Sequence, residues 1–344
     1  MSALSDAFHT QATACQNLGS PFMHRLLTLL GTTWHPGPAL AEKCATFQGD
    51  IGPAGISLPL RIAGGLHAVK LNGDTSLDQI YPPNVPSDSD FAIGIAKALR
   101  DHDAFLADWI NSPPQTNELR RSAALMAAAC ELHAQFPLPV HLSELGASGG
   151  LNLMWDQFAL ETSAWRIGRP DAAVVFTPDW DGTRPTGSLP SIAARRGVDL
   201  NPLDPTDPHD LLRLTAYLWP DQSYRLDMTR AAAGSVPAPV DAGDAIDWLE
   251  DRLAMAPMGH IHMIQNTIAW QYFPKSSQER GRALLEDYGT QATPDAPMVW
   301  VQLETDGDQH GLGGAALTMQ IWPGGQIHSL GRADFHGRWV RWNL

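Results

Sequence analysis

Cysteine is scarce: 344 residues contain only Cys15, Cys44 and Cys130. They are far apart and form neither a C-x-x-C pair nor a Cys/His zinc spacing, so a disulfide framework and a structural zinc site are not expected. They read as small buried hydrophobes. No run approaches the ~20 apolar residues of a membrane span, and the start, MSALSDAFHTQATACQ, lacks a basic segment followed by an apolar one. A cytoplasmic protein without a membrane partner is expected. Positive charge is also short, with 23 Lys and Arg against 37 Asp and Glu, a formal net charge of -14. Such a surface repels a phosphate backbone, so nucleic acid is not the expected partner. The basic doublets Arg120-Arg121 and Arg195-Arg196 read as solvated faces.

What is present is an ordinary folded composition, 44% hydrophobic and 17% charged, on a chain longer than one typical domain. Two parts are expected. Residues 1–136 read as a helical module. SPFMHRLLTLLG follows a Ser-Pro start, DSDFAIGIAKALRDHDAFLADWI carries an apolar face for one long helix or two, and QTNELRRSAALMAAACELHAQF stops before Pro137.

Residues 137–344 change texture to short apolar runs alternating with helical stretches, the pattern of an α/β sheet. Strands are expected at VHLSEL, at 172–176 and 197–200, and at 260–268, 298–304, 316–322 and 326–335. Helices are expected at about 207–217, 220–233, 244–255 and 276–289. Pro-Gly-Gly between the last two strands signals a hairpin. The simplest architecture is a mainly parallel sheet closed at its edge by a C-terminal antiparallel hairpin.

The most informative segment is HLSELGASGGLNL. Glu144 ends a strand, and Gly146, Ala147, Ser148 and Gly150 form a turn into a helix near Leu151. Glycine leaves room for a ligand at the backbone, and a helix start offers free N–H groups, so the turn reads as a nucleotide or carboxylate cradle. It lacks the G-x-G-x-x-G dinucleotide fingerprint. PPQTNE places Gln115, Thr116, Asn117 and Glu118 at a helix start, where Thr116 or Asn117 reads as an N-cap; with Arg121 the cluster reads alternatively as a lid. Asp156 could reach the same cleft or sit as a solvated carboxylate. Asn266 lies at a strand end with Trp270 and Tyr272 beyond it, positions that could face a substrate or serve the core. His260 and His262 share a strand face without a third ligand, so no metal is expected.

The glycine segment E-x-G-x-x-x-G resembles motif I of class I S-adenosylmethionine-dependent methyltransferases. The resemblance implies a Rossmann-like sheet of that type, with the glycine turn toward the amino-acid end of S-adenosylmethionine. It further implies that Asp199, in RRGVDLNPLD, takes the ribose hydroxyls. Asp244, in VPAPVDAGDAIDWLE, would accept from the adenine amino group while the N–H of Ala245 reads a ring nitrogen. A carboxylate suits both tasks because it only accepts. The gap from Gly150 to Asp199 exceeds the usual ~20 residues, which implies an insertion near 161–190, with a hairpin around Trp165 and Val174 to Phe176, and leaves Asp179 as a rival ribose acid.

The chain as a whole resembles a bacterial family termed domain of unknown function 2332, through PPQTNELRRSAAL, ELGASGGLNLMWDQF, RRGVDLNPLDPTDP, TIAWQYFP and FHGRWVRW. That resemblance spans both halves and implies a shared fold but no reaction. Where that family commonly has alanine and histidine, this chain has Gly149 and Asn266, so chemistry needing an imidazole at position 266 is not expected. Methyl transfer to a small molecule is the leading expectation, with Asn266 orienting the acceptor. A non-catalytic ligand-binding or scaffold protein and a nicotinamide-dependent oxidoreductase are the alternatives.

Overall fold

The computed structural model describes residues 2–235, 237–255, 257–308 and 311–344. Helices run α1 (Ala3–Asn17), α2 (Pro21–Thr32), α3 (Pro38–Thr46), α4 (Leu58–Leu71), α5 (Asp88–Asp101), α6 (Asp103–Trp109), α7 (Ser122–Gln135), α8 (Pro208–Ala216), α9 (Ser223–Ala233), α10 (Ala245–Leu253) and α11 (Lys275–Gly289). Strands run β1 (Val140–Leu145), β2 (Ala159–Glu161), β3 (Arg166–Gly168), β4 (Val175–Phe176), β5 (Asp179–Asp181), β6 (Ile192–Asp199), β7 (Val240–Ala242), β8 (Ile261–Thr267), β9 (Met298–Glu304), β10 (Ala315–Trp322), β11 (Gln326–Ala333) and β12 (Trp339–Trp342).

The chain divides into two compact units. One comprises residues 1–116 with 207–229, and the other 117–206 with 230–344. The sequence texture suggested a single cut at 136/137. Instead α7 belongs with the sheet, and α8 with most of α9 returns to the helices. Both assignments have local causes. Helix α7 is apolar on every side and almost wholly buried, as a helix packed within a sheet layer must be. The returning segment places Ala216, Tyr217 and Trp219 in the same core as Phe8, Leu27, Ile62 and Phe91. Asp221 accepts from Ser20 Oγ (2.6 Å) and from the Phe22 N–H (2.9 Å).

Several helix starts follow side-chain caps. Ser20 Oγ accepts from the N–H of Met23 ahead of Pro21, Ser87 does the same for Asp90, and Asp207 caps α8 with Pro208 behind it. α5 and α6 form as two helices rather than one.

Among the described residues, the main sheet of this unit runs in the order β5-β12-β11-β10-β9-β8-β1-β6-β7. Strands β7, β6, β1, β8 and β9 are mutually parallel, so strand order reverses at β1, the pattern that opens a crevice at the carboxyl ends of β1 and β8. β1 is central, and β1, β8 and β9 are nearly continuous in burial, as parallel strands covered on both faces require. One face packs Leu145, Val198, Ile264 and Trp300 against Ile246 and Leu249 of α10 and Leu285 of α11.

The hairpin at Pro-Gly-Gly forms between β10 and β11, but it is not the edge. β12 adds antiparallel to β11, and β5 adds parallel to β12. The edge strand thus comes from the 161–190 stretch, whose remainder forms a small separate sheet with β2 and β3 as a hairpin and β4 parallel to β2.

Candidate functional site

The crevice predicted by the strand order is a rim built from the turns after β1, β6, β7 and β8. After β1, Gly146, Ser148 and Gly150 all have positive φ (72°, 54° and 71°). Gly146 is obligatory on two counts, since a Cβ there would also lie 2.6 Å from the Cβ of Ala269. Ser148 holds a left-handed conformation without being glycine, and so does Ile268 just past β8 (φ 51°), a rarer state for a β-branched residue. Two strained non-glycine residues therefore flank the crevice on adjacent strands, the kind of placement that marks functional sites.

Most N–H groups of the turn are engaged within the protein. The Ser148 N–H donates to Asp199 Oδ2 (2.8 Å), and the Leu151 N–H donates to Asn117 Oδ1 (2.8 Å). The N–H groups of Gly146 and Ala147 both donate to Val198 O. The expected helix after the turn is a short 3-10 helix, Leu151–Gln157. Its backbone is met by outside side chains: besides Asn117, Gln265 Nε2 donates to Asn152 O and Arg195 to Leu153 O.

Asp199 ends β6 beside β1, with one oxygen on Ser148 and the other accepting from the Asn201 N–H. The rival acid Asp179 lies on β5, the far edge of the sheet. Asp244 follows β7 and N-caps α10, accepting from Ile246 and Asp247, with Ala245 as the first helical residue. Asp199 and Asp244 therefore stand at the carboxyl ends of neighbouring strands, tied by the Gly243 N–H donating to Asp199 O (3.0 Å).

Glu144 is fully buried, and its Oε2 has no hydrogen-bond partner. Burial pushes its pKa up to about 8; the Gln265 side chain opposes this, the Asp199 charge adds to it, and Arg121 opposes it. Arg121 spans the rim, donating to Thr267 O (3.1 Å) and Phe335 O (2.9 Å). Of the proposed lid residues, Asn117, Glu118 and Arg121 thus belong to the sheet unit, with Asn117 locked on the glycine turn and Glu118 capping a short 3-10 turn. Gln115 belongs to the helical unit.

Asn266 is buried with both ends of its amide committed: Nδ2 donates to Glu304 Oε1 (2.8 Å), and Oδ1 accepts from the Trp300 indole (2.7 Å). Glu304 Oε1 also accepts from the N–H groups of Ala269 and Trp270, and so holds the strained turn at Ile268. Sequence reading missed Glu304. An acid ending an otherwise apolar strand, as Glu144 does, was the available signal.

Trp270 and Tyr272 do not share a cleft. Trp270 is core, 4.9 Å from Trp300 between ring centroids, whereas Tyr272 is 73% exposed. Asp156 does not reach the rim; it forms a two-pronged ion pair with Arg195 (2.5 and 2.9 Å). His262 Nε2 lies 3.0 Å from Ser143 Oγ, and burial pushes its pKa down to about 3, so it stays neutral.

Among the described residues, no helix is long and apolar enough to cross a membrane. No curated protein matches the chain. A family profile described as "Uncharacterized protein conserved in bacteria (DUF2332)" matches residues 5–342, and the chain belongs to that family.

Proposed function

We propose that the rim binds S-adenosylmethionine and that the protein transfers its methyl group to a small-molecule acceptor. The observation that carries this reading is the gathering of the glycine turn, Asp199 and Asp244 at the carboxyl ends of three adjacent parallel strands, where the strand order reverses. The residues fit such a group. Glu144 Oε2 and Ser148 Oγ are buried without partners, and Asp199 is a carboxylate, which accepts and never donates, at the end of β6 where ribose hydroxyls would need an acceptor. Asp244 would accept from the adenine amino group, and the N–H of Ala245, at a helix start with no intrahelical acceptor, would read a ring nitrogen. The bound cofactor supplies a methyl group on a cationic sulfur, open to attack by a nucleophile. The chain's own task is alignment, which needs no fixed triad. Asn266 acts as a positioning residue through Glu304.

A second reading, a ligand sensor or scaffold without turnover, is favoured by one observation: the turn's N–H groups at Ser148 and Leu151 are already taken by side chains. Calorimetric titration with S-adenosylmethionine, S-adenosylhomocysteine and NAD separates the cases. Binding of the first two and not the third is expected. Binding of NAD alone supports a nicotinamide-dependent enzyme, and binding of none moves the scaffold reading ahead.

A further inference from the structure

The helical unit carries a separate constellation. Trp109 ends α6, Arg213 lies on α8 and Tyr217 follows that helix. The rings of Trp109 and Tyr217 lie 6.1 Å apart between centroids, and the Arg213 guanidinium sits 4.4 Å from the Trp109 ring centroid. The charges of Arg213 and of Arg61, from α4, both act on the Tyr217 hydroxyl. Arg61 is buried and fixed by backbone carbonyls, donating to Ile56 O, Ile110 O and Asn111 O.

Trp109 Nε1, Arg213 Nη1 and Tyr217 Oη are all buried atoms without a hydrogen bond of good geometry, the nearest approach to one being the Trp109 indole toward the Tyr217 oxygen. An indole N–H and a guanidinium only donate, so the phenol oxygen is the sole acceptor in the group. However these side chains turn, the phenol O–H is left without an acceptor inside the trio. The hydroxyl keeps its proton at neutral pH, because burial pushes it up to about 12 against the pull of Arg213, the Trp109 indole and Arg61. Neither Arg213 nor Arg61 has a carboxylate partner among the described residues, in a chain with a surplus of acids. Water can accept from these donors but brings no negative charge to offset the guanidiniums. An oxyanion accepts from every donor and brings the missing negative charge.

We propose that this part of the helical unit is a binding site for the carboxylate or phosphate group of a small molecule, with partly exposed Arg213 at its entrance and Trp109 and Tyr217 inside. The site is independent of the strand rim and does not rest on the methyl-transfer reading.

The test uses the full chain with inorganic phosphate and, separately, acetate, each against sodium chloride of equal ionic strength. Thermal unfolding and the indole N–H resonance of Trp109, assigned by loss in Trp109→Phe, are read together. One of the anions should raise the melting temperature and move that resonance, and the stronger of the two identifies the preferred group. Arg213→Gln should weaken binding at least about tenfold, and Tyr217→Phe by a few-fold. Arg100→Gln, exposed on α5, should bind as the parent does. A Trp109 resonance that neither anion moves beyond the chloride control overturns the proposal, as does an equal loss in Arg100→Gln. Should Arg213→Gln not fold, Tyr217→Phe decides, and parent-like affinity in that variant overturns it.

Discussion

At the strand rim of the sheet unit the partnerless atoms include the carboxylate oxygens Oε2 of Glu144 and of Glu304, whereas in the Trp109–Arg213–Tyr217 cluster of the helical unit they are the donors Trp109 Nε1 and Arg213 Nη1 together with the Tyr217 hydroxyl. Ser148 Oγ can serve in either role, and the partnerless Trp270 Nε1 belongs to the apolar core. The rim thus offers buried acceptors and the cluster mainly buried donors. Each is the complement of a different ligand chemistry: the rim suits amino and hydroxyl groups, the helical site an oxyanion. Leaving such atoms unsatisfied costs stability, so a protein built only for packing would have apolar groups there.

The sharpest way to break the contrast is at the glycine turn. Gly146→Val combines a left-handed φ with a clash on Ala269, and a loss of about 3 kcal/mol or more is expected in chemical denaturation. A loss under about 1 kcal/mol would show that the turn can relax, and the strain argument at the rim would lapse. Asn266→Ala strips Glu304 of a donor and leaves the Trp300 indole without an acceptor, so about 2 kcal/mol is expected from the same measurement. Parent-like stability would mean that Glu304 is not held through Asn266.

Glu144→Gln sharpens the comparison through pH. The native pKa of Glu144, about 8, lies above its ordinary value of 4.5, so the folded state binds its proton more tightly than the unfolded state does. The contribution of Glu144 to stability is therefore greatest below about pH 4.5 and declines as pH rises toward about 8, with a slope of at most about 1.4 kcal/mol per unit. The glutamine variant lacks that slope. It should match the parent near pH 4.5 and exceed it at pH 8, and parallel pH profiles would show that Glu144 is solvated. The smallest effect is expected at Tyr217→Phe. Without any added anion, removing a partnerless hydroxyl should stabilise the fold by about 0.5 kcal/mol, and a clear destabilisation would reveal a hydrogen bond at that oxygen.

The parallel core was legible in the sequence because its strands are short apolar runs bounded by turns. VHLSEL and MVWVQLE form strands at those same residues, and Pro-Gly-Gly marks a real hairpin. The glycine turn and the acids at 199 and 244 were legible by position along the chain. What the sequence hid depends on pairing across distance. Asn117 reads as a cap or a lid residue, yet its side chain serves Leu151 in another element. Asp156 reads as solvated until register brings Arg195 beside it. The outer strands β5 and β12 are too short to show a period, with three and four residues. Trp109 and Arg213 meet only because α8 returns to the helical unit, a long-range event that no local pattern encodes.

That return also sets an order on biosynthesis. The helical unit needs residues 207–229 to complete its core, and these emerge from the ribosome only after β1 through β6 have been made. A nascent chain at residue 136 carries seven helices, six of them sharing a core that lacks Ala216, Tyr217 and Trp219, and that apolar surface must wait while the first strands appear without β8 and β9 beside them. Neither unit corresponds to a contiguous gene segment. A single cut of the coding sequence cannot separate them, and a fragment ending before residue 207 should be captured by chaperones or aggregate rather than fold.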